Sequence, residues 1–203
     1  HVGPNLLNAF YDPDYDDLSF GDVNTLAPSD IFMDDATVPH HEYMHYVVEK
    51  IWSIQNYGQA GALSEANADY FSASSLNTPA IGTFINNSLG NAGPLRQIDY
   101  LAPGAKFYDL NKQNPSPPSP FVTAWSGEIH DDSPFLSQAL WDIRRARIAA
   151  LGFASGRSCA DGLQFQALLY FPESFAELYD ALLQVDALGA VAACGGALSA
   201  KTN

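Results

Sequence analysis

The chain has 203 residues, of which 47% are hydrophobic and 16% charged, enough apolar material for one globular domain or one domain built of two lobes. Nine basic residues against 23 acidic ones leave a formal net charge of -14, which disfavours nucleic acid and anionic membrane surfaces as partners. No apolar run approaches the roughly 20 residues needed to span a bilayer, and no signal peptide is visible ahead of the first residues.

In chain order, residues 1–35 are rich in Asp, Asn, Pro and aromatics without helical periodicity, and predict short strands and loops. Val47, Val48 and Ile51 recur at helical spacing behind an acidic start, which predicts a helix over 37–52. "YGQAG" breaks it, and "ALSEANADYFSASSL" predicts a second helix over 63–76. Residues 77–124 read as loop, with "NPSPPSP" (114–120) an extended surface piece because Pro fixes φ and removes donors. Three further helices are predicted over 133–152, 161–170 and 173–187. Strand-rich first and helical afterwards, the order predicts an α+β fold with lobes over 1–56 and 57–203.

Three of the five histidines fall in "HHEYMHY", residues 40–46. His41 and His45 are four apart, so on a helix they project from one face and can grip one ion, with Glu42 on the flank of that site. This is H-E-x-x-H, two imidazole ligands for Zn2+ and a carboxylate placed to take a proton from a metal-activated water and pass it to a leaving amine. His40 lies off the shared face and is not expected to be a ligand. Glu65, nineteen residues beyond His45 on the second predicted helix, supplies a third ligand once that helix folds back. Asp69, one helical turn later, is placed to accept the spare N–H of a metal-bound histidine. Without a metal the same residues would read as a polar helix face, but their joint spacing favours the site.

H-E-x-x-H, nineteen residues and then E-x-x-x-D resembles the thermolysin-like gluzincin metallopeptidases. "YGQAGALSEANAD" resembles the segment that supplies the family's third ligand, which implies Tyr57 as its active-site tyrosine. "NAFYDP" (8–13) resembles the family's substrate-binding edge strand, implying that Asn8 and Ala9 contact the substrate backbone. "PLRQID" (94–99) resembles the segment whose arginine contacts substrate, here Arg96, although pairing with one of the chain's many acids is the other reading. "SGEIHDDSPFLSQALWDI" (126–143) is similar to the segment carrying the histidine that stabilises the transition state, here His130, and its L-W-D resembles the fungalysin branch. The resemblance implies a zincin fold and a zinc endopeptidase acting on protein or peptide substrates, with Glu42, His130 and Tyr57 as catalytic groups.

The sequence departs from the family at several points. Ser64 stands where the family has Asn, and Trp125 stands where it has the aspartate that supports its histidine. No acid lies between Asp69 and Asp99, so the family's double calcium site is expected to be absent. The acidic "YDPDYDD" is expected to be a solvated loop rather than an ion site. Much of the family's N-terminal β-rich region has no counterpart, which leaves a processed chain or a minimal member as expectations. A zinc-holding protein- or peptide-binding module without turnover is the alternative function. An exopeptidase branch is disfavoured by the nineteen-residue spacing. Cys159 and Cys194 are either a disulfide, favoured and pointing to a secreted or extracytoplasmic protein, or two buried thiols.

Overall fold

A computed structural model describes residues 6–22, 31–103, 105, 107–108, 121–122 and 125–195; the expected extended piece at 114–120 lies outside them. The chain opens with a hairpin of β1 (Ala9–Asp12) and β2 (Asp17–Phe20), antiparallel, with Ala9 opposite Phe20 and Asp12 opposite Asp17. The acidic turn between them is held by its own side chains: Asp12 accepts from the Asp14 amide at 3.0 Å, and Asp16 accepts from Tyr11 and pairs with Lys50. A 3₁₀ turn (Phe32–Asp34) leads into α1 (Thr37–Ile51). Pro39 is tolerated there because the first helical turn has no intrahelical use for its missing N–H. Asp35 accepts from both the amide and the hydroxyl of Thr37, at 3.1 and 2.6 Å, and so ties down the helix start.

Helix α2 (Gly58–Leu76) is the centre of the molecule. Fourteen of its 19 residues are buried, so it is enclosed on nearly all sides. Its Ala- and Ser-rich composition lets neighbouring helices approach closely. The expected helix start at 63 is corrected to 58, because the break lies at 52–57 and "GQAG" already belongs to α2. Gly61 is there for space: a Cβ would stand 2.6 Å from the Ile129 methyl. The segment expected to be loop contains β3 (Ala80–Ile81), α3 (Thr83–Ser88), β4 (Arg96–Gln97) and β5 (Phe107–Tyr108), followed by β6 (Phe121–Val122). β3 pairs antiparallel with β4 and β5 parallel with β6, giving three two-stranded sheets among the described residues.

Then come α4 (Ile129–Leu151), α5 (Phe153–Leu168) and α6 (Phe175–Ala187), with a closing 3₁₀ turn at Ala192–Cys194. The two later helices therefore replace the expected ranges 161–170 and 173–187, and α4 starts four residues before the expected 133. Pro134 inside α4 leaves the His130 carbonyl without its amide donor, and Ser133 covers that carbonyl with its hydroxyl at 3.2 Å. The mixture of helices and small sheets is compatible with an α+β class.

Two apolar clusters flank α1. The larger joins Val48, Leu63, Leu140, Leu163, Leu178 and Val185 across five helices. The smaller sits under the hairpin and joins Ala9, Phe20, Phe32, Val38 and Ile85. Buried polar ties fix the helices against one another. Tyr70 and Ser74 of α2 donate to Asp161 of α5 at 2.8 and 2.7 Å, and Ser72 donates to the Thr37 carbonyl at 2.7 Å. The Ser72 bond ties α2 to the start of α1, and the other two tie it to α5.

Cys159 and Cys194 form a disulfide that ties α5 to the final 3₁₀ turn. The bond is consistent with an extracytoplasmic location. It closes a loop with a sequence separation of 35 residues, worth about 4 kcal/mol of unfolded-state entropy. Replacing both cysteines by serine should lower the urea-unfolding free energy by about that amount, and reductant should do the same to the unaltered protein. No helix among the described residues is long and apolar enough to cross a membrane.

Candidate metal centre

α1 and α2 pack side by side, each turning an i, i+4 pair toward the other. From α1 come His41 and His45; from α2 come Glu65 and Asp69. Nε2 of His41 lies 3.2 Å from Oε2 of Glu65, Nε2 of His45 lies 3.3 Å from Oε1, and the two imidazole nitrogens are 3.1 Å apart. The three side chains form the metal-competent group found among the described residues.

Proton placement explains what these short distances mean. Nδ1 of His41 is 2.9 Å from Asp69, whose carboxylate can only accept, so the ring proton sits on Nδ1 and Nε2 presents a lone pair. Nδ1 of His45 faces the Ser64 hydroxyl at 3.0 Å, and with Ser64 accepting, Nε2 of His45 presents a lone pair as well. Ser64 thus fixes the orientation of the His45 ring. Oε2 of Glu65 is buried and has no hydrogen-bond partner, although His41 Nε2 is its close neighbour. With those tautomers two lone pairs and a carboxylate converge on one point, an arrangement that could hold a metal ion.

The spacing and the donor set both fit zinc. Ligand atoms about 2.0–2.1 Å from a tetrahedral ion lie about 3.3 Å from each other, close to the 3.1–3.3 Å found here. Two imidazoles and one carboxylate suit zinc, whereas calcium and magnesium take oxygen donors. In the metal-free protein a proton takes the cation's place. Burial alone lowers the His41 pKa, but its hydrogen bonds to Asp69 and Glu65 outweigh that and hold it at about 10. Burial raises the Glu65 carboxyl, but the neighbouring imidazoles outweigh it and hold it well below the usual range.

These shifts predict opposite pH dependences with and without metal. The raised His41 contributes stability that is complete below its unfolded pKa of about 6.5 and lost as pH rises through about 10. The depressed Glu65 and Asp69 contribute stability that is present above the unfolded carboxylate range and lost as pH falls through their folded values. Chelator-treated protein should thus melt highest near pH 5–6, and lower at pH 9 by at least a few degrees. The extra stabilisation from added zinc should instead grow as pH rises from about 5 to 8, because the ligands must shed that proton. Melting curves across this range with and without chelator check both signs.

Asp69 is fully buried and is held by Arg96 of β4 through two parallel bonds, Nε to Oδ2 at 2.6 Å and Nη2 to Oδ1 at 2.7 Å. Arg96, expected to contact substrate, thus pairs with an acid while it borders the smaller cavity. Its charge goes to Asp69, because a buried carboxylate that serves a histidine N–H still needs a counter-charge, and its Nη2 also lies 3.5 Å from Nδ1 of His41. The neighbouring guanidinium and the His41 bond outweigh burial and lower the Asp69 pKa.

Two cavities meet at the group. The larger, about 330 Å³, is lined by His41, Glu42, His45, Glu65 and His130, by Asn8, Ala9, Phe10 and Tyr11 of the hairpin, and by Glu49, Ile54 and Asn56. The smaller, about 110 Å³, is more apolar, with Phe32, Val38, Ile81 and Leu95 among its walls and Arg96 at its border. Asn8, Ala9, Glu42 and His130 line both, which places Glu42 where the cavities join. β1 pairs only with β2 among the described residues, so its other edge has no strand partner.

His130, in the first turn of α4, brings Nε2 to 3.5 Å from Oε1 of Glu65, while Nδ1 contacts Glu128 at 2.7 Å. Glu128 is also the N-cap of α4, accepting from the Asp131 amide at 2.8 Å. It is the acid beside His130 that sequence reasoning missed; "GEIHDD" offered three candidates and only the cap geometry separates them. Asp132 accepts from the Ser126 and Gly127 amides at 2.8 and 2.9 Å and shapes the turn that carries Glu128. Trp125 instead packs on Phe175. Tyr57, expected as an active-site tyrosine, is the N-cap of α2, is 66% exposed and lines neither cavity; Asn56 lines the larger one. His40 is bonded to the Ala36 carbonyl at 2.8 Å, away from the group.

No family model matches the chain and no curated protein matches it, so the functional reading rests on this geometry.

Proposed function

We propose that the chain is a zinc-dependent endopeptidase of the thermolysin-like gluzincin type. The observation that carries the reading is the convergence of His41, His45 and Glu65 beside a buried Glu42 at the junction of two open cavities. A structural zinc site would be closed by a fourth protein ligand; this group opens into the larger cavity. Zinc held there supplies Lewis acidity, polarising a carbonyl and acidifying water.

The remaining chemistry belongs to the chain. An extended peptide lies against the free edge of β1, where Asn8 and Ala9 face the cleft. Glu42 takes a proton from the attacking water and returns it to the amine nitrogen as the C–N bond breaks. His130, held at Nδ1 by Glu128, lines the cleft and is placed to donate from Nε2 to the developing oxyanion. Asp69, backed by Arg96, keeps the His41 proton on Nδ1.

Incubation with casein tests the proposal. Cleavage that stops with chelator and returns with stoichiometric zinc is expected. A zinc-loaded protein that binds casein or peptides and leaves them intact would instead make the chain a zinc-holding binding module.

A further inference from the structure

The larger cavity is lined by three carboxylates, Glu42, Glu49 and Glu65, and by no lysine or arginine. A divalent ion in the group carries two positive charges, which balance Glu42 and Glu65. His130 in the same lining already faces Glu128 at 2.7 Å, so the carboxylate left over is Glu49. It is half-buried, and no described side chain pairs with it. The adjacent Lys50 is committed to Asp16 at 2.7 Å. The whole chain, at net charge -14, adds a field that draws cations toward the cleft.

Position makes the surplus charge selective. Glu49 follows His45 by four residues on α1, so it lies on the same face about 6 Å farther along the axis. An extended peptide advances about 3.3 Å per residue, which puts Glu49 about two residues from the scissile bond. Tyr11, Pro13 and Ile54 in the same cavity offer apolar wall for an aliphatic stem, the way a lysine or arginine side chain is usually seated. The smaller cavity, beside Val38 nearer the start of α1, is mostly apolar and offers no comparable free charge.

We propose that Glu49 selects substrates with a lysine or arginine about two residues from the cleaved bond, on the side away from the smaller apolar cavity. The proposal rests on the peptidase reading above, and its test separates the two. Short, otherwise uncharged peptides carrying one lysine, and twins with glutamine in its place, are offered to zinc-loaded wild-type protein and to Glu49→Gln. Cleavage is followed by mass spectrometry. Binding of the labelled peptides is followed by fluorescence anisotropy in the Glu42→Gln background, which needs no turnover.

The lysine peptide should be favoured by about tenfold in kcat/KM and in affinity, as for an ion pair partly shielded from water. Glu49→Gln should bring the ratio close to one, and Glu49→Lys should turn it toward a glutamate-bearing peptide. Rising salt should shrink the wild-type ratio, a readout that does not depend on any variant folding. Binding with lysine preference but no cleavage would keep the role of Glu49 and overturn hydrolysis. Cleavage without preference, or a preference that survives Glu49→Gln, would overturn the role of Glu49. Failure to bind or cleave any of the peptides would overturn both.

Discussion

Replacing Glu42 by glutamine should lower kcat/KM for peptide hydrolysis by about 10³-fold and leave zinc in place. Glu42 is buried, borders both cavities and is not one of the three converging ligands. Glutamine keeps its shape and its packing on α1 but cannot accept a proton from water. The binding residues and the ion are untouched, so the loss should fall on kcat while KM stays within a few-fold. Metal content by atomic emission and a melting midpoint near that of wild type separate this from a folding defect. A variant as active as wild type would remove Glu42 from the chemistry and, with it, the proposed proton path.

Asp69→Asn should have the largest effect on both stability and metal affinity. The carboxylate is fully buried between His41 and Arg96, with three short contacts of 2.6, 2.7 and 2.9 Å. Asparagine keeps the volume but removes the charge, which leaves the Arg96 guanidinium largely enclosed without its counter-ion. Breaking one side of a buried pair costs about 3–5 kcal/mol, more than the pair is worth over an apolar replacement. Loss of the Nδ1–H acceptor should weaken zinc binding by about 10–100-fold. Urea unfolding of chelated protein reads the first effect and a chelator competition reads the second. Adding Arg96→Met to Asp69→Asn should recover part of the stability, since it removes the orphaned cation, but none of the zinc affinity. If Asp69→Asn changed neither quantity, the histidine would not need its carboxylate partner.

The parts of the site legible in the sequence are those fixed by helical periodicity. His41 with His45, and Glu65 with Asp69, are i, i+4 pairs, and a pair at that spacing shares a face in any straight helix. What brought the two pairs together was not periodicity but the small residues of α2, whose burial on nearly all sides leaves little amphipathic signal to read. Its start was misread for a related reason. Gly61 looks like a breaker in sequence and acts in the fold as clearance for Ile129.

Contacts set by tertiary packing were harder to read. Arg96 lies 27 residues from Asp69, and its pairing depends on where β3 holds β4 in the fold. Glu128 was one of three acids around His130, and the α4 cap decides among them. Tyr57 matched a short motif, but the turn before α2 directs it to solvent. The helix expected from 133 starts four residues earlier, because the serine bond to the His130 carbonyl offsets the donor missing at Pro134 and keeps His130 in the first turn of α4.

Zinc titration of the metal-stripped protein, followed by X-ray absorption at the zinc edge, tests the central claim most directly. One ion per chain should bind, with two imidazole nitrogens, one carboxylate and no sulfur in its shell, and His45→Ala should abolish tight binding. No tight ion, or a shell unchanged by His45→Ala, would contradict the metal centre and the peptidase built on it.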